Sequence, residues 1–369
     1  MKLPACGRLV LIGLVGVLRS GTAQTTPFAK LIDRLSEPGG SFTGDNLVSN
    51  ETSYLHVLPA LRMLGVHGGA FIGVGPEQNF SYIAAIEPDV ALVIDIRRDN
   101  ALLHLLYKAM FEESTSRLEY LCRLYSRPVP ADVDAYRARD LAAVLAYLDR
   151  TPFDPALHER SHAALVARIV TDGVALSAGD RATLRRFHDA IAHAGLSLKF
   201  ELPPGRMPSR DYPVVRRLYT ERDLAGHQVS YVATEARWNV VRALEVANKV
   251  IPVTGDLAGT KAMRAMGDYL REIHEPVSAL YVSNVEFYLR GSLGNYAANV
   301  LAFPVAANGV IIRSWFEQGG RTLPSSQPGH FSTQLLETFS GFRRITGQVS
   351  YGTYGDLIAD SLGLSGARR

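Results

Sequence analysis

Short apolar runs alternate with longer amphipathic stretches along this chain. The first two apolar runs, residues 70–74 and 90–96, flank a stretch with helical spacing, and the first of them meets a glycine pair, Gly73 and Gly75. This pattern predicts a strand, a tight turn, a helix and a second strand that ends near Asp95. Because glycine has no Cβ, the turn allows an anion or a ribose hydroxyl to approach the helix N-terminus closely. An ordinary βαβ unit without a ligand is the alternative interpretation.

The same alternation returns in the second half of the chain. Further strands are predicted at residues 250–256, 279–286 and 309–316, with helices before the first two of them at 231–248 and 260–274. We therefore expect an α/β fold, a doubly wound and mostly parallel sheet with strand order 3-2-1-4-5. Parallel strands gather their carboxyl ends at one edge, which would bring together the polar residues Asp95, Asp256, Asn284, Glu286 and Arg313.

The stretch between the second and third strands is long and helical. One helix is predicted at residues 100–126, followed by an Arg- and Ala-rich region with helical stretches at 131–149, 155–170 and 180–194. We interpret this region as a helical insertion in the sheet domain. His158 and His162 could share a helix face there, but no acidic third ligand accompanies them, so the pattern does not favour a metal site.

Before the sheet domain, the sequence predicts two helices with a polar loop between them. Residues 45–51 are dense in Ser, Asn, Asp and Glu, which could cap helices or fold over the glycine turn as a lid. We divide the chain into a leader (1–23), N-terminal helices with the lid loop (24–65), the first half of a Rossmann-like domain (66–126), the helical insertion (127–226) and the second half (227–369).

Composition and charge narrow the classes of partner. The 369 residues are 47% hydrophobic and 20% charged, enough to bury a sizeable core, and a net charge of +3 does not imply a nucleic-acid partner. Lys2 and Arg8 flank the start of an apolar run that is too short to span a bilayer. This pattern predicts a signal peptide cleaved near Ala23, an exported or periplasmic protein, and no membrane span after cleavage; a miscalled start would leave the protein in the cytoplasm. Cys122 is then the remaining cysteine.

The motifs GVGPEQNF, VIDIRRDN, VTGDLAG and YVSNVEFYL, with LSEPGG and DNLVSNETSYL upstream, resemble a family of largely uncharacterised bacterial proteins. The fold of that family is similar to class I S-adenosylmethionine-dependent methyltransferases. The resemblance implies that S-adenosylmethionine is the cofactor and that a small molecule accepts the methyl group, without naming the acceptor or an oligomeric state.

Carried over to this chain, the cofactor slots of such methyltransferases fall on Gly73, Gly75, Glu77, Asp95 and Asp256. Glu77 stands where a third glycine is usual. Asn284 and Glu286 fall at the fourth strand's end, which faces the methyl group, and Glu286 is a candidate base or a strand-end salt bridge. The residues expected to bind or orient the acceptor are Asn50, Glu51, Tyr54, Tyr82 and Arg97.

Two other functions stay open at this point. The predicted leader conflicts with methyl transfer, because S-adenosylmethionine is a cytoplasmic cofactor, so the same crevice could serve an exported, catalytically degenerate protein that binds a small ligand without turnover. NAD-dependent redox chemistry fits less well, because its fingerprint needs a glycine where Gln78 stands.

Overall fold

The computed structural model describes residues 27–42, 44, 46–200, 212–317, 322–348, 351–359 and 361. A six-stranded sheet with strand order β3-β2-β1-β4-β5-β6 forms the centre of this part of the chain. β1 to β5 pair in parallel, and β6 runs antiparallel to β5. The strands are β1 (Ala70–Val74), β2 (Val90–Asp95), β3 (Val250–Thr254), β4 (Val277–Ser283), β5 (Val305–Phe316) and β6 (Ser332–Thr338).

Helices connect the strands. The first part of the chain contains α1 (Pro27–Leu35), α2 (Leu58–Met63), α3 (Gln78–Ile86), α4 (Arg98–Glu112) and α5 (Arg117–Leu124). Between α5 and β3 lie α6 (Leu141–Arg150), α7 (Pro155–Thr171), α8 (Ala178–Ala194), α9 (Val215–Thr220) and α10 (Glu235–Val246). The remaining helices are α11 (Ala262–Glu272), α12 (Leu293–Leu301), α13 (Phe339–Thr346) and α14 (Tyr354–Ala359).

Two groups of helices flank the sheet. α3, α4 and α10 pack together and contact the strands β1 to β3, and α7 and α8 pack outside α4. α1, α11, α12 and α13 form the other group. Because helices cover the central strands, β1 is buried along its whole length and β2 is buried up to Asp95. This burial explains why both strands are almost continuously apolar in sequence.

The expected α/β fold with a mostly parallel sheet is confirmed, and β1 to β5 follow the order 3-2-1-4-5. β6 was not predicted, because its sequence STQLLET is largely polar although nearly all of it is buried. Several of its polar side chains form hydrogen bonds inside the protein: Ser332 contacts Ser53, and Gln334 donates hydrogen bonds to Glu51 and Ser314. Hydrophobic periodicity does not detect a strand whose buried side chains are hydrogen-bonded.

Three helix predictions were wrong in their boundaries. The stretch 100–126, predicted as one helix, forms α4 and α5, because the Ser116 hydroxyl accepts a hydrogen bond from Glu119 N–H and caps a new helix. The second N-terminal helix, which the sequence predicts at residues 52–64, begins at Leu58, since residues 52–57 form turns instead. In the predicted insertion, α6 begins only at Leu141, where the side chain of Asp140 caps it.

The leader, with Cys6 and the cleavage point near Ala23, lies outside the described residues. None of the described helices combines the length and apolar composition needed to cross a bilayer. Cys122 is free and buried, and burial raises the pKa of its thiol to about 12, so it stays protonated at neutral pH.

Candidate functional site

A cavity of about 370 Å³ opens at the carboxyl edge of the parallel strands. This volume lies in the range of small-molecule sites. In an open α/β sheet, ligands bind at the point where the strand order reverses, here between β1 and β4. Residues at the ends of the first four strands line the cavity: Gly75 and Pro76 after β1, Asp95 and Ile96 at the end of β2, Gly255, Asp256 and Leu257 after β3, and Ser283, Asn284 and Val285 at the end of β4.

The predicted lid loop forms another wall. Asn46, Val48, Ser49, Asn50 and Glu51 line the cavity, so the segment that could have capped helices instead contributes polar groups to the cavity wall. Three aromatic residues that the sequence did not single out, Phe42, Phe200 and Tyr288, also line it. Phe42 and Tyr288 are exposed and meet edge to face with ring centroids 5.1 Å apart.

The two glycines of the turn have different structural roles. Gly75 lines the cavity with a φ of 81°, in the left-handed region that favours glycine. Gly73 is not among the lining residues; a Cβ there would lie 2.0 Å from Asn79 Oδ1. Asn79 Nδ2 donates hydrogen bonds to the carbonyls of Val74, Gly75 and Pro76, so Gly73 makes room for the side chain that holds the turn.

His104 also supports the turn, and no sequence motif marks it. Its Nε2 lies 2.9 Å from the Gly75 carbonyl oxygen, so this nitrogen carries the proton and donates. Burial lowers the pKa of His104 to about 4, and the ring is therefore neutral at physiological pH. The ring fixes the carbonyl of the glycine that lines the cavity.

Asp95 lies at the cavity wall but is already engaged by Arg97. Its Oδ1 accepts hydrogen bonds from Arg97 N–H at 2.9 Å and Nε at 3.2 Å, and its Oδ2 accepts one from Nη2 at 3.1 Å. Arg97 also donates to the Gly44 carbonyl and does not line the cavity, contrary to its expected role in binding the acceptor. Arg97 therefore orients Asp95, and Oδ2 retains a lone pair because a carboxylate oxygen can accept more than one hydrogen bond.

Asp256 lines the cavity in a loop that the N-terminal segment holds in place. Glu37, from the motif LSEPGG, accepts hydrogen bonds from the N–H groups of Asp256, Lys261 and Ala262. Gly40, in the same motif, donates to the carbonyl of Ile96, which follows β2. The motif thus fastens the strand ends that carry Asp95 and Asp256, a role that sequence reasoning did not assign to it.

Glu51 is the most deeply buried carboxylate at the cavity. The residue is 1% exposed, and its Oε1 accepts hydrogen bonds from Tyr281 Oη at 2.7 Å and from Ser283 Oγ. Gln334 Nε2 donates to Oε2 at 2.9 Å. All three partners are neutral, and no Lys, Arg or His among the described residues forms an ion pair with it. The cavity wall therefore carries a buried carboxylate with no cationic partner of its own.

Ser283 marks this part of the cavity by its backbone. Its φ of 52° is unusual for a residue other than glycine. Such conformations cost free energy and concentrate at functional sites, where the surrounding structure holds them. Here the hydrogen bond from Ser283 to Glu51 helps hold the strand end, and Asn284 follows directly on the cavity wall.

Glu286 does not line the cavity, although the resemblance places it beside the methyl group. Its Oε2 lies 2.6 Å from Arg313 Nε, and both side chains are 0% exposed. Of the two roles that the sequence suggested for Glu286, a base or a strand-end salt bridge, the structure therefore shows the salt bridge. Of the two residues expected to be catalytic, only Asn284 reaches the cavity.

Tyr54, Tyr82 and Glu77 are buried and do not line the cavity. Tyr54 donates to the Leu218 carbonyl, and Tyr82 donates to the Tyr54 carbonyl, so both hydroxyls serve the interior. The Glu77 carboxyl is enclosed, and burial raises its pKa to about 8. Glu77 thus has no access to the cavity, and its carboxyl is mostly protonated at neutral pH.

Glu77 should make stability pH-dependent. The folded protein keeps a proton that the unfolded chain releases above about pH 4.5, so the free energy of unfolding should fall between about pH 4.5 and 8. Urea unfolding of the wild type and of Glu77→Gln across this interval measures the effect. The free energy of unfolding of the wild type, relative to that of Glu77→Gln, should fall by up to about 1.4 kcal/mol for each pH unit in this interval.

A matched control uses the exposed Glu113. Glu113→Gln should leave the pH profile parallel to that of the wild type, since the Glu113 side chain is solvent-exposed in the folded protein as it is in the unfolded chain. A Glu77→Gln profile parallel to the wild type would show that Glu77 is ionised in the folded protein.

The histidines of the helical region form a separate stack away from the cavity. The rings of His158 and His188 lie 4.4 Å apart, and His188 Nδ1 lies 3.4 Å from His162 Nδ1. His158 bonds to Ser126 and Asp189, which satisfies both of its ring nitrogens. Among the described residues, a different group of side chains could hold a metal ion.

Comparison with known proteins identifies the family but no activity. No curated protein sequence matches the chain. A family model matches residues 46–135 and 131–345, well over half of the chain, including the loop 46–51, the six strands and all the predicted site residues. Glu37 and the predicted leader precede the matched region. The chain therefore belongs to the family described as a domain of unknown function, DUF7790.

Proposed function

We propose that the strand-end cavity binds S-adenosylmethionine and that the protein is a methyltransferase of unidentified acceptor. The observation that carries the proposal is the convergence of Gly75, Asp95, Asp256 and Asn284 on one cavity at the switch point of the sheet. These are four of the seven positions at which the resemblance to class I methyltransferases predicts cofactor binding or catalysis.

The residues present fit an adenosyl group. The remaining lone pair of Asp95 Oδ2 can accept a hydrogen bond from a ribose hydroxyl, while Arg97 keeps the carboxylate in place. Because Gly75 has no side chain, its backbone is accessible from the cavity. Ile94, Ile96 and Leu257 line the cavity with apolar side chains that could contact an adenine ring. A mixture of apolar wall and few polar groups is typical of cofactor sites.

The buried Glu51 adds a preference for a cationic occupant. A buried carboxylate surrounded by neutral donors gains stability when a positive charge reaches it, because the interior screens charges weakly. S-adenosylmethionine carries a sulfonium and an ammonium group, whereas S-adenosylhomocysteine carries only the ammonium. We expect one of these cations to lie near Glu51 in the complex.

For methyl transfer, the protein mainly has to position the acceptor beside the methyl group and exclude water. When bound, the cofactor would supply an electrophilic methyl group. Asn284 would orient the acceptor by hydrogen bonding, and Phe42, Phe200 and Tyr288 would exclude water. Removal of a proton from the acceptor, where needed, would fall to a carboxylate of the cavity wall, since Glu286 is sealed against Arg313.

That sealed ion pair favours a second candidate function, binding without turnover. The predicted base does not reach the cavity, so the same site could hold a small ligand in an exported protein that does not catalyse methyl transfer. The predicted leader fits this alternative better than methyl transfer, because S-adenosylmethionine is a cytoplasmic cofactor. Both functions use the same cavity, and they differ in whether a methyl group is transferred from the bound ligand to an acceptor.

Calorimetric titration of the purified protein with S-adenosylmethionine, S-adenosylhomocysteine and NAD tests the proposal. Wild type should bind the first two and not NAD. Asp95→Asn keeps the shape but removes the charge, and should weaken both adenosyl ligands by about tenfold or more, as expected for hydrogen bonds to a charged partner. Glu51→Gln should weaken S-adenosylmethionine selectively if Glu51 faces the sulfonium, and both ligands if it faces the ammonium.

Asp268→Asn is the matched control, because Asp268 is an exposed aspartate of α11 whose side chain pairs with Arg271. It should bind both ligands like the wild type. Absence of binding at millimolar concentration, with a native circular dichroism spectrum, would refute the adenosyl proposal. Binding without transfer of labelled methyl to any acceptor offered would favour the second function.

A further inference from the structure

A second cluster of polar side chains lies where three separate segments meet. His56 belongs to the turns before α2, Glu221 follows α9, and His330 precedes β6. One potential ligand atom from each of the three lies within 4.8 Å of the other two. None of the three residues lines the strand-end cavity. This His–Glu–His cluster is therefore distinct from the proposed adenosyl site.

The orientation of His330 points to a cation. Its Nδ1 lies 3.2 Å from the Pro328 carbonyl oxygen, which can only accept, so Nδ1 carries a proton. Its Nε2, which has a lone pair unless a proton or a metal ion occupies it, lies 3.3 Å from Glu221 Oε1. Two lone pairs facing each other repel, so a proton or a metal ion must lie between them. Nε2 is shielded from solvent and has no hydrogen bond of acceptable geometry among the described residues.

His56 makes a metal ion the better occupant. It is buried, and its ring centroid is 4.5 Å from that of His330, so a second imidazole faces the same point. A proton would satisfy only the contact between His330 and Glu221. A metal ion can accept electron pairs from all three residues at once.

The surroundings hold the three residues as a metal site requires. Histidine ligands commonly donate their other nitrogen to a backbone carbonyl, as His330 does to Pro328. Glu221 Oε1 accepts from Arg222 N–H at 3.0 Å, while Arg217 Nε lies 3.8 Å from the other oxygen, Oε2. The side chains of Glu221 and His330 are 14% and 16% exposed, which leaves a path for an ion to enter.

We propose that His56, Glu221 and His330 bind a first-row divalent metal ion, with zinc the best match. Zinc accepts imidazole nitrogen and carboxylate oxygen at about 2.0–2.2 Å, which places tetrahedral ligands roughly 3.4 Å apart. The distance of 3.3 Å between His330 and Glu221 already meets this requirement. The ligand atom of His56 lies within 4.8 Å of the other two, so it would move closer by up to about 1.4 Å when the ion binds, and water would complete the fourth position.

The bound ion would fasten the turns that carry Glu51. Thr52 and Ser53, next to Glu51, contact the Ser332 hydroxyl at 3.3 and 3.0 Å, and Ser332 is two residues beyond His330. The metal ion thus links the segment before β6 to the segment that lines the cavity.

The test uses tag-free, full-length protein stripped with a chelator and titrated with zinc in a calorimeter. Wild type should bind one zinc ion per chain, and zinc should raise its melting temperature by linkage. His330→Gln and Glu221→Gln should each weaken zinc by more than about tenfold, since even the partners of metal ligands contribute that much. Cobalt should give the intense visible spectrum of a four-coordinate site in the wild type and in neither of these two variants.

The matched control is His67→Gln, because His67 is an exposed histidine outside the cluster. It should bind zinc like the wild type, and all variants should give native circular dichroism spectra without metal. Failure of the folded wild type to bind zinc or cobalt saturably overturns the proposal, as does binding that both cluster variants retain. The first of these results would show that a proton joins His330 and Glu221.

Discussion

Replacing Glu286 with Gln is expected to lower the free energy of unfolding by about 3 to 5 kcal/mol, because it leaves the charge of Arg313 buried and unpaired. The other two nitrogens of that guanidinium, Nη1 and Nη2, have no hydrogen-bond partner among the described residues. The ring of Phe342, 5.6 Å from the guanidinium carbon, offers only a weak substitute. Urea unfolding monitored by circular dichroism measures the loss.

The double variant Glu286→Gln with Arg313→Met should recover most of that stability, since neither position then carries a buried charge. Asp268→Asn breaks an exposed pair of similar length, 2.6 Å, and should cost less than about 1 kcal/mol. If Glu286→Gln leaves stability unchanged and abolishes methyl transfer, Glu286 is catalytic and its structural role is wrong.

Gly73→Ala should lower the free energy of unfolding by about 2 to 4 kcal/mol, at the upper end of overpacking effects. The new methyl group would lie 2.0 Å from Asn79 Oδ1 and 2.8 Å from the Phe71 ring, neither of which can move without repacking. Moving Asn79 would also break its three hydrogen bonds to the turn. Thermal and urea unfolding of the same protein measure the effect.

Gly294→Ala is the control, because a Cβ at that position of α12 meets no atom within 4 Å. It should be neutral or slightly stabilising, since alanine favours a helix. In an Asn79→Ala background, Gly73→Ala should cost less than in the wild type, because the closest clash is gone. Equal costs in the two backgrounds would show that Asn79 is not the group that requires glycine.

The region around Gly75 could be predicted because its signals are local. The strand β1, the tight turn at Gly75 and the position of Asp95 at the end of β2 follow from apolar runs, a glycine and a spacing within thirty residues. The parallel topology followed from the same pattern, since helices between strands imply crossovers. The place of the cavity then follows from the strand order.

Other residues carried no local signal. Glu37 lies about 220 residues before the loop it holds, and His104 reaches the turn from α4. The histidines of the His–Glu–His cluster, His56 and His330, are 274 positions apart in the sequence and show no ligand spacing. Sequence reasoning considered His158 and His162 instead, because spacing within one helix is the signal that a linear pattern can show.

The sequence by itself determined the five parallel strands, the glycine turn and which polar residues stand at the strand ends, because strand and turn preferences depend on neighbours along the chain. Only the tertiary structure decided which of those polar side chains face the cavity. Glu51 reaches it because Tyr281 and Gln334, 230 and 283 residues away, hold its carboxylate there. Glu286, at an equally polar strand end, turns to Arg313. The direction of a buried carboxylate depends on which distant partner compensates its charge, and that partner is set by packing.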